Sequence, residues 1–250
     1  YGKTTVNYNR DVEIFPVLNA MFEKIQGTSP YRSPTDMGVN MAGFAIVDDA
    51  ACQAASRMEI LRRYYTGLVD RVKGKCDECV VRKLEIVMQQ AGVTPDICPA
   101  VRASLDKAQA TGAPAGAMVL PDGRVVTGKT SSLLGPSAAM LLNAVKLLAG
   151  IDKDLDLLPA SIIAPISDMK LRHLGHHNPR LHSDEVLIAL SISAVTNPLA
   201  ERVLKKLDDL RGSEAHFSVI LSEEDAKLYK RLGIHVSCEP RYEVKKLYHK

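Results

Sequence analysis

The chain has 250 residues, of which 46% are hydrophobic and 24% are charged, and its formal net charge is +3 at pH 7. These values are typical of a globular protein that buries a substantial core. They give no electrostatic case for nucleic-acid binding, and no apolar run approaches the roughly 18 residues of a membrane span. Five cysteines, an odd number spread along the chain, argue against a disulfide framework. We therefore expect a cytoplasmic protein that binds neither nucleic acid nor membrane.

The first part of the chain is predicted to be mainly helical. Apolar residues at helical spacing predict helices over 11–25, from Asp48 or Asp49 to Val72, over 80–90 and over 99–110. The stretch 111–116, rich in small residues, glycine and proline, marks a change of pattern. We therefore expect a mainly helical region over residues 1–112 and an α/β region over residues 113–250.

Strands and helices alternate in the second region. A hairpin is predicted to join 117–120 to 124–127, and it is followed by a strand over 155–159 and helices over 161–173, 183–192 and 199–210. The helix over 183–192 is apolar on most faces and is expected to be buried. A strand over 215–221, a helix over 223–232 and a strand over 234–238 predict a parallel βαβ unit. The expected fold class is α/β, with a Rossmann-like second region that contains βαβ units.

One segment of the second region matches a phosphate-binding pattern. Four residues separate Gly123 from Gly128, Lys129 and Thr130, as in the P-loop pattern G-x-x-x-x-G-K-[ST]. The intervening residues are β-branched and favour a strand, which argues against a P-loop of the Walker type. Small residues that lead into a helix can still bind an anion near its positive dipole end. The candidate phosphate-binding residues are Gly128, Lys129, Thr130, Ser131, Ser132 and Arg180, although an ordinary capped helix explains the same small residues.

A second set of polar residues precedes the helix predicted over 183–192. Arg180 could bind a phosphate with two parallel hydrogen bonds, and His182 could transfer protons near neutral pH. Asp184 in the first helical turn is either a catalytic group or only a stabiliser of the helix dipole. Asp36, in a glycine-rich stretch, is a further carboxylate candidate. The candidate catalytic residues are therefore His182, Asp184 and Asp36.

Two groups of metal-binding residue types stand out, but neither predicts a metal site. Four histidines lie within ten residues, beside Asp184 and Glu185, in a spacing that fits no recognised zinc pattern: His173, His176, His177 and His182. Cys76 and Cys79 form a CxxC pair without a second pair. The identity of any metal therefore stays open.

Several blocks of sequence together resemble one bacterial family, the domain of unknown function 1846. The blocks are 8–13, 33–40, 127–135, 178–182 with 184–187, and 246–250. Because members of that family are about twice as long, the resemblance implies that this chain is their C-terminal half. It also implies a fold similar to α/β P-loop proteins and a glycine-rich phosphate loop in the other half, and some members have been labelled ATP-dependent peptidases. It carries over no catalytic residue.

The leading hypothesis is one part of a nucleotide- or phosphometabolite-dependent enzyme that transfers or hydrolyses a phosphoryl group. Its expected cofactor is ATP or another phosphorylated ligand with Mg²⁺. Its expected partners are that small ligand, the N-terminal half of the protein and further copies of the chain. The alternative is a non-catalytic assembly or interaction domain of a P-loop-like protein.

Overall fold

The computed structural model of the protein describes residues 11–29 and 49–243, and the chain divides into two compact units, Tyr1–Ile97 and Cys98–Lys250. The first unit contains α1 (Asp11–Gln26), α2 (Asp49–Val72) and α3 (Glu78–Gln90), followed by a 3-10 turn at Pro95–Ile97. The helices predicted in this part of the sequence are confirmed. Among the described residues, no helix is both long enough and apolar enough to cross a membrane.

Helices α2 and α3 pack against each other in the first unit. Their buried side chains include Leu61, Tyr65, Val81 and Val87, at the helical spacing that predicted both elements. Helix α3 begins at a capped end, since Asp77 Oδ1 accepts a hydrogen bond from the third amide of the helix at 3.2 Å. The cap satisfies one of the amides that a helix N-terminus leaves unpaired.

The second unit contains the sheet and the remaining helices. Its elements are α4 (Pro99–Thr111), β1 (Ala115–Val119), β2 (Val125–Lys129), α5 (Pro136–Leu148), α6 (Ala160–Arg172), α7 (Ser183–Ser193), α8 (Pro198–Leu204), β3 (Glu214–Phe217), α9 (Glu223–Arg231) and β4 (His235–Cys238). Helix α4 belongs to this unit because it packs on β1, β2 and β3. Along the chain, the boundary between the two units therefore falls between residues 97 and 98. The sequence pattern predicted a boundary between residues 112 and 113.

The four strands form a mixed sheet in the order β2-β1-β3-β4. Strand β1 is antiparallel to β2 and to β3, and β3 is parallel to β4. The hairpin of β1 and β2 and the βαβ unit of β3, α9 and β4 are both confirmed, and so is the α/β class. The described strands form only one parallel pair, so the Rossmann-like part of the prediction is not confirmed.

Apolar side chains from one face of the sheet and from the helices above it form the core of the second unit. Met140 and Leu141 of α5 and Leu190 of α7 are fully buried. Phe217 of β3 meets Tyr229 of α9 edge to face, with ring centroids 5.6 Å apart. This geometry is favourable for aromatic rings, and it fixes α9 over the sheet.

Three predictions for the second unit are wrong in detail. The segment 155–159 forms turns and bends and no strand, and it begins with a turn in which Leu155 N donates to Asp152 O. The helix predicted over 199–210 ends at Leu204 and is followed by a 3-10 turn at Asp208–Leu210. Helix α7 is buried on one face only, as its outer residues are exposed: Ile188 and Ile192.

Candidate functional site

The carboxyl ends of three strands lie at one edge of the sheet, here called the carboxyl edge. Strands β2 and β3 both run antiparallel to β1, and β4 runs parallel to β3, so β2, β3 and β4 point in the same direction. A loop follows each of them, over residues 130–135, 218–222 and 239–243. In α/β folds, ligands bind beyond the carboxyl ends of such strands. A ligand site is therefore expected at the carboxyl edge.

The loop after β2 is joined to the segment before α7 by backbone hydrogen bonds. Leu181 N donates to Leu133 O at 2.9 Å, and Gly135 N donates to Leu181 O at 3.3 Å. These bonds flank a single parallel bridge between Leu134 and Leu181. Residues 133–135, which follow the candidate residues 128–132, therefore lie beside Leu181, between Arg180 and His182.

Gly128 serves helix packing and does not form part of a phosphate loop. It pairs with Gly116 in the hairpin, and a Cβ atom at Gly128 would lie 2.2 Å from the backbone nitrogen of Met140 in α5. Gly123 has φ +84° and closes the hairpin turn, which is a conformation that favours glycine. The P-loop-like pattern is therefore a β-hairpin, and a Walker loop would need free inward-pointing amides at these positions.

The polar residues after Gly128 are largely engaged within their own loop. Thr130 N donates to the carbonyl of Pro114 at 2.8 Å, and Ser131 Oγ accepts two loop amides at 3.0 and 3.2 Å. Because α5 begins at Pro136, these amides do not belong to its N-terminus. The side chains of Lys129 and Ser132 are exposed. The hydroxyl of Thr130 is buried and has no hydrogen-bond partner among the described residues.

His182 lies at the N-terminus of α7, where it meets the first turn of α9. Its Nδ1 is 3.4 Å from Oδ2 of Asp225 and 3.5 Å from Oγ of Ser222. Ser222 Oγ also donates to the same carboxylate oxygen at 3.0 Å. The side chain of His182 is 23% exposed, and its Nε2 has no hydrogen-bond partner within the described part of the chain.

Asp225 is a buried carboxylate that caps α7 from a neighbouring helix. Its Oδ1 accepts a hydrogen bond from Ser183 N at 2.8 Å. Burial alone would raise the pKa of Asp225, but hydrogen bonds from His182 and Ser183 outweigh it and lower the pKa to about 2. The same contact raises the pKa of His182, against the opposing effect of burial. Asp225 therefore stays ionised and favours the protonated imidazole.

The arrangement gives His182 the chemistry of a general acid or base. A carboxylate beside Nδ1 keeps a proton on that nitrogen, which leaves Nε2 to accept or deliver a proton. The group is not a Ser-His-Asp triad, because Ser222 lies beside Nδ1 and the nucleophile of a triad contacts the other ring nitrogen. Asp225 and Ser222 were not selected from the sequence, where they resemble ordinary helix-capping residues.

Lys170 and Glu185 form an ion pair beneath the segment that carries His182. The Lys170 ammonium lies 2.6 Å from Glu185 Oε2, and the Lys170 side chain is 1% exposed. Glu185 Oε2 also accepts a hydrogen bond from His182 N at 2.7 Å. The pair therefore connects α6 to the N-terminus of α7.

Arg180 lies at the carboxyl edge and is paired with Glu243 in the loop after β4. Both side chains are about one third exposed, at 34% and 31%, so a solvent-borne anion can compete for the guanidinium. Asp184 is exposed and accepts a hydrogen bond from Glu185 N at 2.9 Å. Asp36 lies outside the described residues. Of the predicted catalytic residues, His182 alone has a carboxylate partner in the described structure.

The histidine and cysteine clusters do not form a metal centre. In residues 11–29 and 49–243, no three side chains of His, Cys, Asp or Glu lie together in a way that could hold a metal ion. Cys76 and Cys79 are both free thiols, and Cys76 Sγ contacts Gly67 O at 3.5 Å.

A surface cavity of about 480 Å³ lies in the first unit, far from these groups in the sequence. Among its lining residues are Tyr64, Arg82, Glu85 and Ile86. The cavity contains no histidine or cysteine and none of the residues selected from the sequence. We therefore place the candidate chemistry at the carboxyl edge.

Comparisons with known proteins cover the whole chain. Residues 1–92 match the family model "Domain of unknown function DUF1846, N-terminal", and residues 96–248 match "Domain of unknown function DUF1846, C-terminal". A UPF0371 protein of Streptococcus thermophilus is 54% identical over 250 residues, and one of Streptococcus pyogenes serotype M5 is 53% identical. Each alignment covers 100% of this chain and 51% of the relative. The chain thus spans about half the length of these relatives. It matches the N-terminal model of the family as well as the C-terminal one, so the resemblance is not limited to the C-terminal half of the family's proteins.

Proposed function

We propose, for a chain that belongs to the DUF1846 family, that its second unit supplies the proton-transfer and anion-binding residues of a nucleotide- or phosphometabolite-dependent enzyme. The observation that supports the proposal is that one short segment carries both groups: His182 contacts Asp225, and Arg180, two residues earlier, pairs with Glu243 in the loop after β4. The βαβ unit of β3, α9 and β4 supports a nucleotide ligand by analogy of fold alone.

In this proposal, His182 transfers the proton and Asp225 orients the imidazole of His182. Asp225 is buried and stays ionised. It therefore holds the imidazole in one tautomer and does not itself take up the proton. The free Nε2 accepts a proton from an attacking water or hydroxyl, or donates one to the leaving oxygen. Both roles suit the transfer or hydrolysis of a phosphoryl group, which depends mainly on positioning and charge.

The anion-binding role falls mainly to side chains, since the backbone amides of Thr130 and Ser131 donate to the carbonyls of Pro114 and Leu134. Arg180 offers a planar guanidinium that matches two phosphate oxygens, and Lys129, the last residue of β2, offers an exposed ammonium. The buried hydroxyl of Thr130 has an unused donor. No described cluster provides three metal ligands, so the proposal has Mg²⁺ arrive with the phosphates of the ligand and assigns it no residue of this chain.

The proposal is tested by phosphate binding to paired variants. Arg180→Ala should weaken the binding of inorganic phosphate and of Mg-ATP roughly tenfold or more, because it removes a charge-assisted contact. Glu243→Gln should strengthen binding, because it removes the carboxylate that competes for Arg180. Isothermal titration calorimetry of both variants measures the two opposite effects.

Arg172→Ala is the matched control, since Arg172 is exposed on α6 and pairs with Asp168 four residues earlier. It should bind phosphate as the unmodified protein does. Equal affinities for Arg180→Ala, Glu243→Gln and Arg172→Ala would contradict the proposed anion site, and so would the absence of any phosphate binding.

A second candidate function, assembly with another chain, is favoured by the outer face of α7. Ile188 and Ile192 of α7 are 58% and 52% exposed, and Val195, in the turn that follows the helix, is 84% exposed. Such an apolar surface suits a helix that packs against a partner, either a further copy or the remainder of a longer protein. Sedimentation of Ile192→Lys separates the two functions, because loss of assembly with intact phosphate binding assigns them to different surfaces.

A further inference from the structure

Lys170 of α6 is almost wholly buried, and its two partners are a backbone carbonyl and Glu185, which is not one of the proposed proton-transfer residues. The side chain of Lys170 is 1% exposed. The ammonium donates to Arg180 O at 2.7 Å and to Glu185 Oε2 at 2.6 Å. A lysine ammonium is strongly hydrated in solution, so its burial has a desolvation cost that these two contacts offset.

The contacts of Lys170 link α6 to the backbone of residues 180–182 at two points. The same Glu185 oxygen that binds Lys170 accepts the hydrogen bond from His182 N at 2.7 Å. The ammonium thus holds the backbone of Arg180 directly and the backbone of His182 through one carboxylate. Between them, Leu181 is fixed to the loop after β2.

We propose that Lys170 is a positioning residue, whose buried ammonium fixes residues 180–182 so that Arg180 and His182 face one ligand. The inference rests on the proposed function and deepens it. A buried ion pair often adds little net stability over neutral side chains of similar volume, which is compatible with a positioning role. A fixed backbone is what a site with groups from several elements needs.

The test compares Glu185→Gln, in which the Lys170 ammonium keeps the carbonyl of Arg180 but loses its charged partner, with the double variant Lys170→Met/Glu185→Gln. Glutamine can still accept the hydrogen bond from His182 N, as glutamate does in a capping box. The double variant removes the ammonium without leaving a buried charge unpaired. Thermal unfolding checks that both variants are folded. The control is the double variant Lys205→Met/Glu201→Gln, which removes an exposed ion pair, 2.7 Å long, between α8 and the residue that follows it.

The readout is the pKa of His182, followed by NMR of the imidazole, together with phosphate affinity. The positive charge of Lys170 lowers the pKa of His182, so its removal raises that pKa if the lysine acts only through its charge. If Lys170 positions the segment, His182 moves away from Asp225 and its pKa falls toward the ordinary value of 6.5. The two roles therefore predict opposite signs relative to Glu185→Gln.

We expect the double variant to show the lower His182 pKa and roughly tenfold weaker phosphate binding than Glu185→Gln. An unchanged or raised pKa in a folded double variant would overturn the inference. If the unmodified protein binds no phosphate, the proposed function fails, but the sign of the pKa change still decides whether Lys170 positions His182.

Discussion

Replacing Gly128 with alanine is expected to lower the free energy of unfolding by about 3 kcal/mol or more. A Cβ atom at this position would lie 2.2 Å from the nitrogen and 2.4 Å from the Cα of Met140. Both are backbone atoms of α5, so a change of rotamer cannot relieve the overlap, and α5 must move away from β2. Urea unfolding of the variant measures the loss.

Gly135→Ala is the matched control in the same loop. Its added Cβ would find its nearest neighbours at 3.8 and 3.9 Å, which is ordinary contact, and its φ of −67° suits any residue. We expect a cost below about 1 kcal/mol, since alanine is only a weaker N-cap than glycine. Equal stabilities of the two variants would show that β2 and α5 are not packed as described, and would reopen a ligand-binding role for Gly128.

Replacing Asp225 with asparagine is expected to cost about 2 kcal/mol near pH 6. The pKa of Asp225 is about 2 in the folded protein against its ordinary value of 3.8, and each pKa unit corresponds to about 1.4 kcal/mol. This stabilisation is present above pH 4 and is lost as the pH falls toward 2. The difference in stability between the protein and Asp225→Asn should therefore shrink in acid, which chemical unfolding at a series of pH values measures.

The partner of Asp225 adds a second pH dependence of opposite sign. Because the pKa of His182 is raised, its contribution is complete below pH 6.5 and is lost as the pH rises through the folded value. The two shifts describe one interaction and are counted once. In Asp225→Asn, the pKa of His182 should fall toward 6.5.

Asp184→Asn removes an exposed carboxylate from the same helix end and is the control. It should change stability by less than about 0.5 kcal/mol. A pH-independent cost of Asp225→Asn, or an equal fall of the His182 pKa in Asp184→Asn, would show that Asp225 is not the partner of His182.

Local patterns in the sequence were enough to predict most elements of the fold. The helices have apolar residues at regular helical spacing, and Pro121, Asp122 and Gly123 form the expected hairpin turn. The short links around α9 predicted the parallel pairing of β3 and β4, since a crossover helix leaves few alternatives. The segment 155–159 was wrongly predicted as a strand because Leu157 and Leu158 are buried through core packing and not through a sheet.

The candidate site could be predicted only in part. His182 and Arg180 stood out because histidine and arginine precede a helix that begins with acidic residues. Asp225 did not, since a carboxylate in a first helical turn already has a local explanation, and its contact with His182 spans 43 residues. Lys170 and Glu243 were missed for the same reason: their partners come from other elements, and only the folded chain brings them together.

The central claim is that His182 and Arg180 receive one anionic ligand at the carboxyl edge. Its most direct test is NMR of the His182 imidazole in the purified protein, during a titration with inorganic phosphate to about 10 mM, a range that detects weak binding. The account predicts that the His182 signals shift to saturation, that the pKa of His182 rises further as the bound anion favours the imidazolium, and that Arg180→Ala abolishes both effects. His182 signals and a His182 pKa that do not respond to phosphate in the folded protein would contradict it.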